Sequence, residues 1–295
     1  MAAGQDASAG RVDLHCHSNA SDGRLTPSEV VAGALAAGLT GLALTDHDTV
    51  DGLPEFFEAA DRLGLKAIGG VEISLQHTGA MHLLGLDVMD GLNIPASLES
   101  LKKFRLERNI KMHSRLEEMG YHLSWDQLLQ KAQGGQMGRP HFAALLVENG
   151  YFETIGEVFD QLLAKGKLGY MDKQRLSPEE GLDMLHRAGW ISVLAHPVSL
   201  ALEDGQWESC LNALVSQGLA GLEVYHPSHS PEQIAFFRTL AHRFNLVETA
   251  GSDFHGSNRP SVGQDWVKNN SPLVGWEMID ALRNKLNQRV GATDS

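Results

Sequence analysis

Short apolar runs alternate with amphipathic stretches along most of this chain. Runs such as 41–44 and 191–195 predict buried strands, and the stretches that separate them predict helices. Three of these helices begin with a threonine or serine that is followed by proline and, three residues later, by glutamate or glutamine. This capping-box pattern starts at Thr26, Ser177 and Ser230. The alternation predicts an α/β fold in which parallel strands form a barrel wrapped by helices.

Residues from about 98 to 175 interrupt this alternation. Helical patterns cover about 100–119, 125–131, 140–148 and 155–163, and no strand pattern lies between them. We therefore predict two parts, a discontinuous barrel formed by residues 11–97 and 176–288, and a helical insert formed by residues 98–175 that acts as a lid over the substrate.

Side chains of the types that bind metals follow the predicted strands. His15 and His17 lie one residue apart at the end of the first strand, so both point to one face, and Cys16 points to the other as a small buried residue. Further candidates lie at or just after later strand ends, namely His47, Glu72, His196, Asp253 and His255. In a barrel of parallel strands these ends converge on one face. His82 lies near the start of its strand, which is therefore expected to be short or antiparallel.

Imidazoles and carboxylates without thiolates suit Mn²⁺, Zn²⁺ or Fe²⁺. With Asp22, which follows the first strand, the candidates number nine, and one ion commonly takes three or four protein ligands. The sequence therefore predicts two or three ions, with Glu72 as a carboxylate that bridges two of them. Multi-metal sites of this kind hydrolyse phosphoesters, because they generate hydroxide at neutral pH and hold both the attacking and the leaving oxygen.

The charge of the chain is unevenly distributed. The net charge of −13 argues against a long nucleic acid, including duplex DNA, as the main partner. Residues 98–175 hold 12 lysines and arginines against 10 acids, whereas the rest of the chain holds 12 against 27. An acidic body with a locally basic segment suits a protein that binds cations in one part and receives an anion from another, although a solvated helical face would look the same.

Signals for secretion or membrane insertion are not visible in the sequence. Residues 1–10 are small and polar and lack the basic start and apolar core of a signal peptide. No apolar run reaches the roughly 18 residues of a membrane span. The two cysteines, Cys16 and Cys210, are far apart, which fits a reducing compartment. We expect a cytoplasmic protein that does not bind membranes.

Five motifs of this sequence resemble those of the PHP (polymerase and histidinol phosphatase) family and occur in the family's order. They are Asp13-Leu-His-Cys-His-Ser18, Thr45-Asp-His-Asp48, Gly70-Val-Glu-Ile-Ser74, Ala195-His-Pro197 and Ser252-Asp-Phe-His-Gly256. The resemblance implies a distorted (β/α)7 barrel with a trinuclear phosphoesterase site. The insert, with Gly138-Arg-Pro-His-Phe142, resembles the subgroup of 3′,5′-nucleotide bisphosphate phosphatases and short-RNA 5′→3′ exonucleases.

The resemblance also implies three sets of ligands. The first ion would be held by His15, His17, Glu72 and Asp253, the second by Glu72, His82 and His196, and the third by Asp22, His47 and His255. Several relatives carry a histidine where this chain has Asp22, and a carboxylate there favours a harder ion such as Mn²⁺.

The expected mechanism is in-line attack on phosphorus by a hydroxide that bridges two metal ions. His226 and His229 are both candidates to protonate the departing oxygen. Asp22 is also expected to be a catalytic residue. Asp46, Asp48 and Glu223 could be direct ligands, but each is more simply interpreted as a hydrogen-bonding carboxylate near the metals.

Substrate choice is expected to lie in the insert. A second phosphate could meet Arg139, His141, Lys167, Lys173 and Arg175, of which the two arginines offer bidentate hydrogen bonds; His229 is a further substrate contact. Phe142 or Tyr170 could stack on a base or pack in the core.

The leading hypothesis is a phosphatase that removes the 3′-phosphate from nucleoside 3′,5′-bisphosphates. The alternatives are a 5′→3′ exonuclease on short 5′-phosphorylated RNA and, less favoured because of the insert, a histidinol-phosphate phosphatase. A hypothesis of another class is a metal-stabilised barrel that serves as a scaffold.

Overall fold

The computed structural model describes residues 11–87, 94–256 and 275–293, with side chains described as far as residue 286. The polar tail expected over residues 1–10 lies outside these residues. None of the helices within these ranges combines the length and apolar character that a membrane span needs.

In the described part of the chain, seven strands form one mixed sheet that follows chain order. They are β1 (Val12–Asp13), β2 (Gly41–Leu44), β3 (Lys66–Leu75), β4 (Met81–Leu86), β5 (Ile191–Leu194), β6 (Gly221–Tyr225) and β7 (Val247–Ala250). Neighbouring strands are parallel except β4, which is antiparallel to both β3 and β5. The predicted α/β barrel is confirmed, and so is the expected antiparallel strand at His82.

The sheet is nearly closed by contacts between its first and last segments. The Leu14 amide donates to the Ala250 carbonyl at 3.0 Å, and the Asp253 amide donates to the His15 carbonyl at 2.9 Å. Just beyond both strands, Cys16 and Phe254 form a parallel bridge. These bonds bring the polar residues after β1 beside those after β7.

Helices connect the strands and build the insert. They are α1 (Pro27–Ala36), α2 (Leu53–Leu63), α3 (Ala96–Glu118), α4 (Trp125–Ala132), α5 (Arg139–Glu148), α6 (Ile155–Val158), α7 (Pro178–Arg187), α8 (Trp207–Ser216), α9 (Pro231–Arg243) and α10 (Glu277–Thr293). A π-helical turn at Phe159–Leu163 continues α6. The capping boxes at Thr26, Ser177 and Ser230 are present with both hydrogen bonds, so these helices begin where the sequence predicts.

Among the residues that the structure describes, buried apolar side chains form three clusters. One joins residues of the strands to Met278, Ile279 and Leu282 of α10. A larger cluster packs α1, α2, α7, α8 and α9 against the sheet. The buried side chains of the third all lie within residues 112–163 and include Phe142. A separate core inside the segment supports the division into barrel and insert that we propose.

Candidate metal centre

The nine side chains predicted as ligands lie together where the parallel strands end and β4 begins. Three groups of these side chains each bring one nitrogen or oxygen atom per residue within 4.8 Å of the others. The groups are His15–His17–Glu72–Asp253, His17–Asp22–His47–His255 and His47–Glu72–His82. Their convergence follows from the register of the barrel, because parallel strands all end on one face.

Glu72 is the carboxylate shared by two groups. Its Oε2 lies 3.4 Å from His15 Nε2 and 2.9 Å from His47 Nδ1, while its Oε1 lies 2.7 Å from His82 Nδ1. His196 Nε2 also lies 3.0 Å from Oε1. This is the position that a carboxylate bridging two ions would need.

The first ligand set implied by the family resemblance coincides with one of these groups. In the third set, Asp22 Oδ1 lies 3.3 Å from His255 Nε2 and 3.9 Å from His47 Nε2, and the structure adds His17 to it. In the second set, His47 joins Glu72 and His82, with His196 touching the same Glu72 oxygen. The division of ligands among ions remains a proposal.

Buried atoms without hydrogen-bond partners show whether this cluster suits metal ions. Six such atoms belong to residues of the three groups, namely His15 Nε2, His17 Nδ1, His17 Nε2, Asp22 Oδ1, His47 Nδ1 and Glu72 Oε2. Burying an unpaired polar atom costs about 1–3 kcal/mol, and natural proteins contain few of them. Imidazole nitrogens and carboxylate oxygens that converge unpaired therefore fit bound Mn²⁺, Zn²⁺ or Fe²⁺. Cys16 takes no part, since its Sγ donates to the Ala43 carbonyl at 3.0 Å.

Glu223 orients two members of the cluster from behind. Its Oε1 lies 3.0 Å from His15 Nδ1, and its Oε2 accepts the His196 amide at 2.6 Å. With Nδ1–H donating to Glu223, the Nε2 lone pair of His15 faces Glu72 and Asp253. Burial raises the pKa of the Glu223 carboxyl, but His15 and its hydrogen bond lower it to about 2. Both oxygens are engaged, so Glu223 is a hydrogen-bonding carboxylate, as the simpler interpretation expected.

The two acids that flank His47 accept hydrogen bonds from residues outside the three groups. Asp46 accepts from the Ser18 amide, the Ser18 hydroxyl and the Ser21 hydroxyl at 2.6–2.8 Å. Asp48 accepts from Arg105 and Lys173 of the insert. Burial raises the pKa of the Asp48 carboxyl, but these two cations hold it well below its ordinary value.

His226 and His229 lie beside the cluster with different tautomers. His229 Nδ1 donates to the Val224 carbonyl at 2.8 Å, which leaves its Nε2 without a proton when the ring is neutral. His226 Nδ1 instead accepts the Ser228 amide at 3.2 Å, which places the proton on Nε2, 3.9 Å from Asp253 Oδ2. Burial lowers the pKa of His226 to about 4 and also lowers that of His229. Of the two neutral rings, only His226 can donate from Nε2.

The residues predicted to meet a second phosphate are not equally placed for it. Arg139 lies over the rings of Phe159 and Tyr170, and its Nη1 donates to the Leu163 carbonyl at 3.3 Å. His141 Nδ1 accepts the Gly138 amide at 2.9 Å at the start of α5.

The other three predicted contacts have different surroundings. Lys173 is buried against Asp48, Arg175 is paired with Asp172, and Lys167 is exposed. Phe142 is fully buried, which favours its core interpretation. The proposal of phosphate contacts is therefore best supported for Arg139.

Two arginines of α3 are cations that the sequence analysis missed. Arg105 and Arg108 are only 7% and 6% exposed, respectively. A spacing signal could have found them, because the buried positions 98, 101, 105, 108 and 112 follow one face of the helix. We call Arg105, Arg108 and Arg139 the cation group.

A barrel with candidate metal ligands at the ends of its strands is typical of metal-dependent enzymes. Comparisons with known proteins identify the family. A model of the PHP domain matches residues 13–190. A 3′,5′-nucleoside bisphosphate phosphatase of Chromobacterium violaceum is 37% identical over 83% of this chain and 87% of its own. A 5′-3′ exoribonuclease of Haemophilus influenzae is 34% identical over 83% and 90%.

A solved structure is similar over nearly the full length. It is a protein of Bifidobacterium adolescentis, named as a candidate metal-dependent phosphoesterase, with a TM-score of 0.81 and 32% identity over 93% of this chain and 96% of its own. The chain therefore belongs to the PHP domain family and is a metal-dependent phosphoesterase of that family.

Proposed function

We propose that this chain removes the 3′-phosphate from nucleoside 3′,5′-bisphosphates and releases a nucleoside 5′-monophosphate and inorganic phosphate. The 3′-phosphate would lie on the metal centre, and the cation group would bind the 5′-phosphate. The relative from Chromobacterium violaceum carries the name of this activity.

The observation that carries the proposal is the charge imbalance of the cation group. Arg108 forms no ion pair with any carboxylate that the structure describes, and its Nε donates to Asn109 Oδ1 at 2.9 Å. Burial and the neighbouring Arg105 and Arg139 lower the pKa of Arg108 to about 9. A buried cation without a counter-charge is costly, so Arg108 supports the proposal that an anion from outside binds at the cation group. Arginine is the side chain best suited to bind a phosphate.

The cation group lies next to the metal centre rather than in a remote part of the insert. Gly138, where α5 begins, separates the two. A Cβ placed on Gly138 would lie 3.6 Å from Arg105 Nη1 and 3.7 Å from Asp22 Cβ. One small substrate could therefore reach both sites, which is the requirement for a molecule with two phosphates.

The side chains of the centre would act in defined roles. The ions that they hold would lower the pKa of a water molecule and polarise a phosphoryl oxygen. Glu72 would bridge two ions, and Glu223 keeps the Nε2 lone pair of His15 turned towards them. The neutral His226 would donate a hydrogen bond from Nε2 to the departing 3′ oxygen, and the proton that this oxygen gains would come from the attacking water. Mn²⁺ is the proposed metal, because Asp22 adds a hard oxygen ligand to the centre.

A second candidate function is 5′→3′ cleavage of short 5′-phosphorylated RNA. It is favoured by the relative from Haemophilus influenzae, which covers the same share of the chain as the relative from Chromobacterium violaceum. The two functions would use the same metal centre and the same cation group, and they differ in whether a nucleotide or a phosphate leaves.

The proposed role of the cation group is tested with Arg108→Gln. Hydrogen bonds to charged groups contribute about 1.5–3 kcal/mol, so we expect KM for adenosine 3′,5′-bisphosphate to rise about 10- to 100-fold. Hydrolysis of p-nitrophenyl phosphate, which has no second phosphate, should change little. Arg115→Gln is the matched control, since Arg115 lies on the same helix with 45% of its side chain exposed. Equal losses on both substrates would contradict the proposed role.

A further inference from the structure

We infer that Asp48 is a positioning residue for substrate recognition, whose carboxylate holds Arg105 of the cation group in a fixed place relative to the metal centre. The inference rests on the proposed function, because Arg105 is taken to contact the second phosphate. Asp48 would thus link the metal centre physically to the cation group, a role that the sequence motifs alone do not assign.

Asp48 is fully buried and contacts several segments of the insert at once. Its Oδ2 accepts from Arg105 Nε at 3.2 Å and from Arg105 Nη2 at 2.6 Å, and it also pairs with Lys173 Nζ. Its main-chain carbonyl accepts from Gln136 Nε2 at 3.1 Å. Contacts therefore reach α3, the segment before α5 and the end of the insert.

Asp48 is also hydrogen-bonded to the barrel. Asp48 follows the predicted ligand His47, and its amide donates to the carbonyl of Glu72 at 2.9 Å. Its Oδ1 accepts the Ser74 amide at 3.4 Å. Asp48 adopts a φ of +55°, which L-residues rarely adopt and which its surrounding bonds must maintain. A change at Asp48 would therefore shift Arg105 relative to His47 and Glu72.

The Asp48 carboxylate could act through its charge or by positioning Arg105, and these two roles predict opposite changes in anion affinity for Asp48→Asn. If the carboxylate acted only through its charge, its removal would leave Arg105 and Lys173 uncompensated, and an anion would bind more tightly. If it positions Arg105, the anion should bind more weakly, because asparagine offers one neutral oxygen instead of two charged ones. If that oxygen faces Arg105, the NH2 group of the amide faces the Ser74 N–H, and if it faces Ser74, the guanidinium loses its acceptor. The direction of the change in affinity decides between the two.

The test is calorimetric titration of AMP into the full chain after removal of metal with EDTA, so that the metal centre does not hold the phosphate. We expect Asp48→Asn to weaken AMP binding about tenfold or more. Asp51→Asn is the matched control, because Asp51 also bonds α3, through Lys102 Nζ at 2.8 Å, but its side chain is 62% exposed. An exposed ion pair contributes little, so this variant should bind AMP as the wild type does.

A double-mutant cycle separates positioning from general damage to the fold. If Asp48 acts through Arg105, then Asp48→Asn should add no further loss of AMP affinity in an Arg105→Ala background. Additive losses would overturn the inference, and so would unchanged or tighter binding by Asp48→Asn. If the wild type itself fails to bind AMP, both the inference and the proposed 5′-phosphate site are wrong. Thermal unfolding of each variant by circular dichroism confirms that folded proteins are compared.

Discussion

Replacing Glu223 with glutamine should weaken Mn²⁺ binding without removing any predicted ligand. Glu223 is completely buried and accepts two hydrogen bonds, from His15 Nδ1 and from the His196 amide. Glutamine keeps the shape of the side chain but offers one oxygen instead of two. Whichever way the new amide turns, one of the two donors loses its acceptor or His15 must move its proton to Nε2. That tautomer removes the lone pair facing Glu72.

The size of the effect follows from these two bonds. Loss of a hydrogen bond that orients a metal-binding histidine costs about 10- to 100-fold in affinity, which corresponds to about 1.4–2.7 kcal/mol. An unpaired buried donor should also reduce the free energy of unfolding by about 1–3 kcal/mol.

Calorimetric titration of the metal-free protein with Mn²⁺ measures the change in affinity. Glu208→Gln is the control, because Glu208 is 54% exposed on α8 and pairs with Arg243. We expect the control to bind Mn²⁺ as the wild type does. Wild-type affinity for Mn²⁺ in Glu223→Gln would refute the argument that this carboxylate orients His15.

Three further predictions concern packing, pH and metal removal. Gly251→Ala should destabilise the fold and weaken Mn²⁺ binding, because the new Cβ would collide with His15 and Glu223. Gly33→Ala should instead stabilise the fold by about 0.5–1 kcal/mol, because Gly33 lies in α1 and a Cβ there would meet nothing within 4 Å. Urea unfolding measures the two changes in stability. The pKa of Glu223 is lowered from 4.5 to about 2, so the unfolded chain binds this proton more readily. The free energy of unfolding of the metal-free protein should therefore fall between about pH 4.5 and 2, and less so in Glu223→Gln. EDTA should abolish turnover and leave the chain folded at 25 °C, whereas unfolding on chelation and no turnover with Mn²⁺ would indicate a metal-stabilised scaffold.

The barrel and the convergence of the nine side chains could be predicted because they depend on local rules. Side chains two residues apart on a strand share a face, which pairs His15 with His17. Parallel strands end on one face, which brings Asp253 and His255 to them from β7. His82 fits the same geometry because β4 runs antiparallel to its neighbours, so its beginning lies beside their ends.

The contacts between barrel and insert could not be predicted, because they join residues far apart in sequence. Asp48 pairs with Arg105 and Lys173, which are 57 and 125 residues away in the sequence, and no local sequence pattern indicates such a pairing. Arg105 and Arg108 were missed for a related reason, since charged residues on a long helix commonly face solvent. Here they occupy buried positions on the same face as Leu101 and Met112.

The central claim is tested most directly by phosphate release from adenosine 3′,5′-bisphosphate by the Mn²⁺-loaded protein, run beside AMP and a 5′-phosphorylated trinucleotide. We predict rapid release of one phosphate from the bisphosphate, with AMP as the remaining product and AMP itself left intact. Release of mononucleotides from the trinucleotide, with little action on the bisphosphate, would contradict the account and identify the protein as an exonuclease.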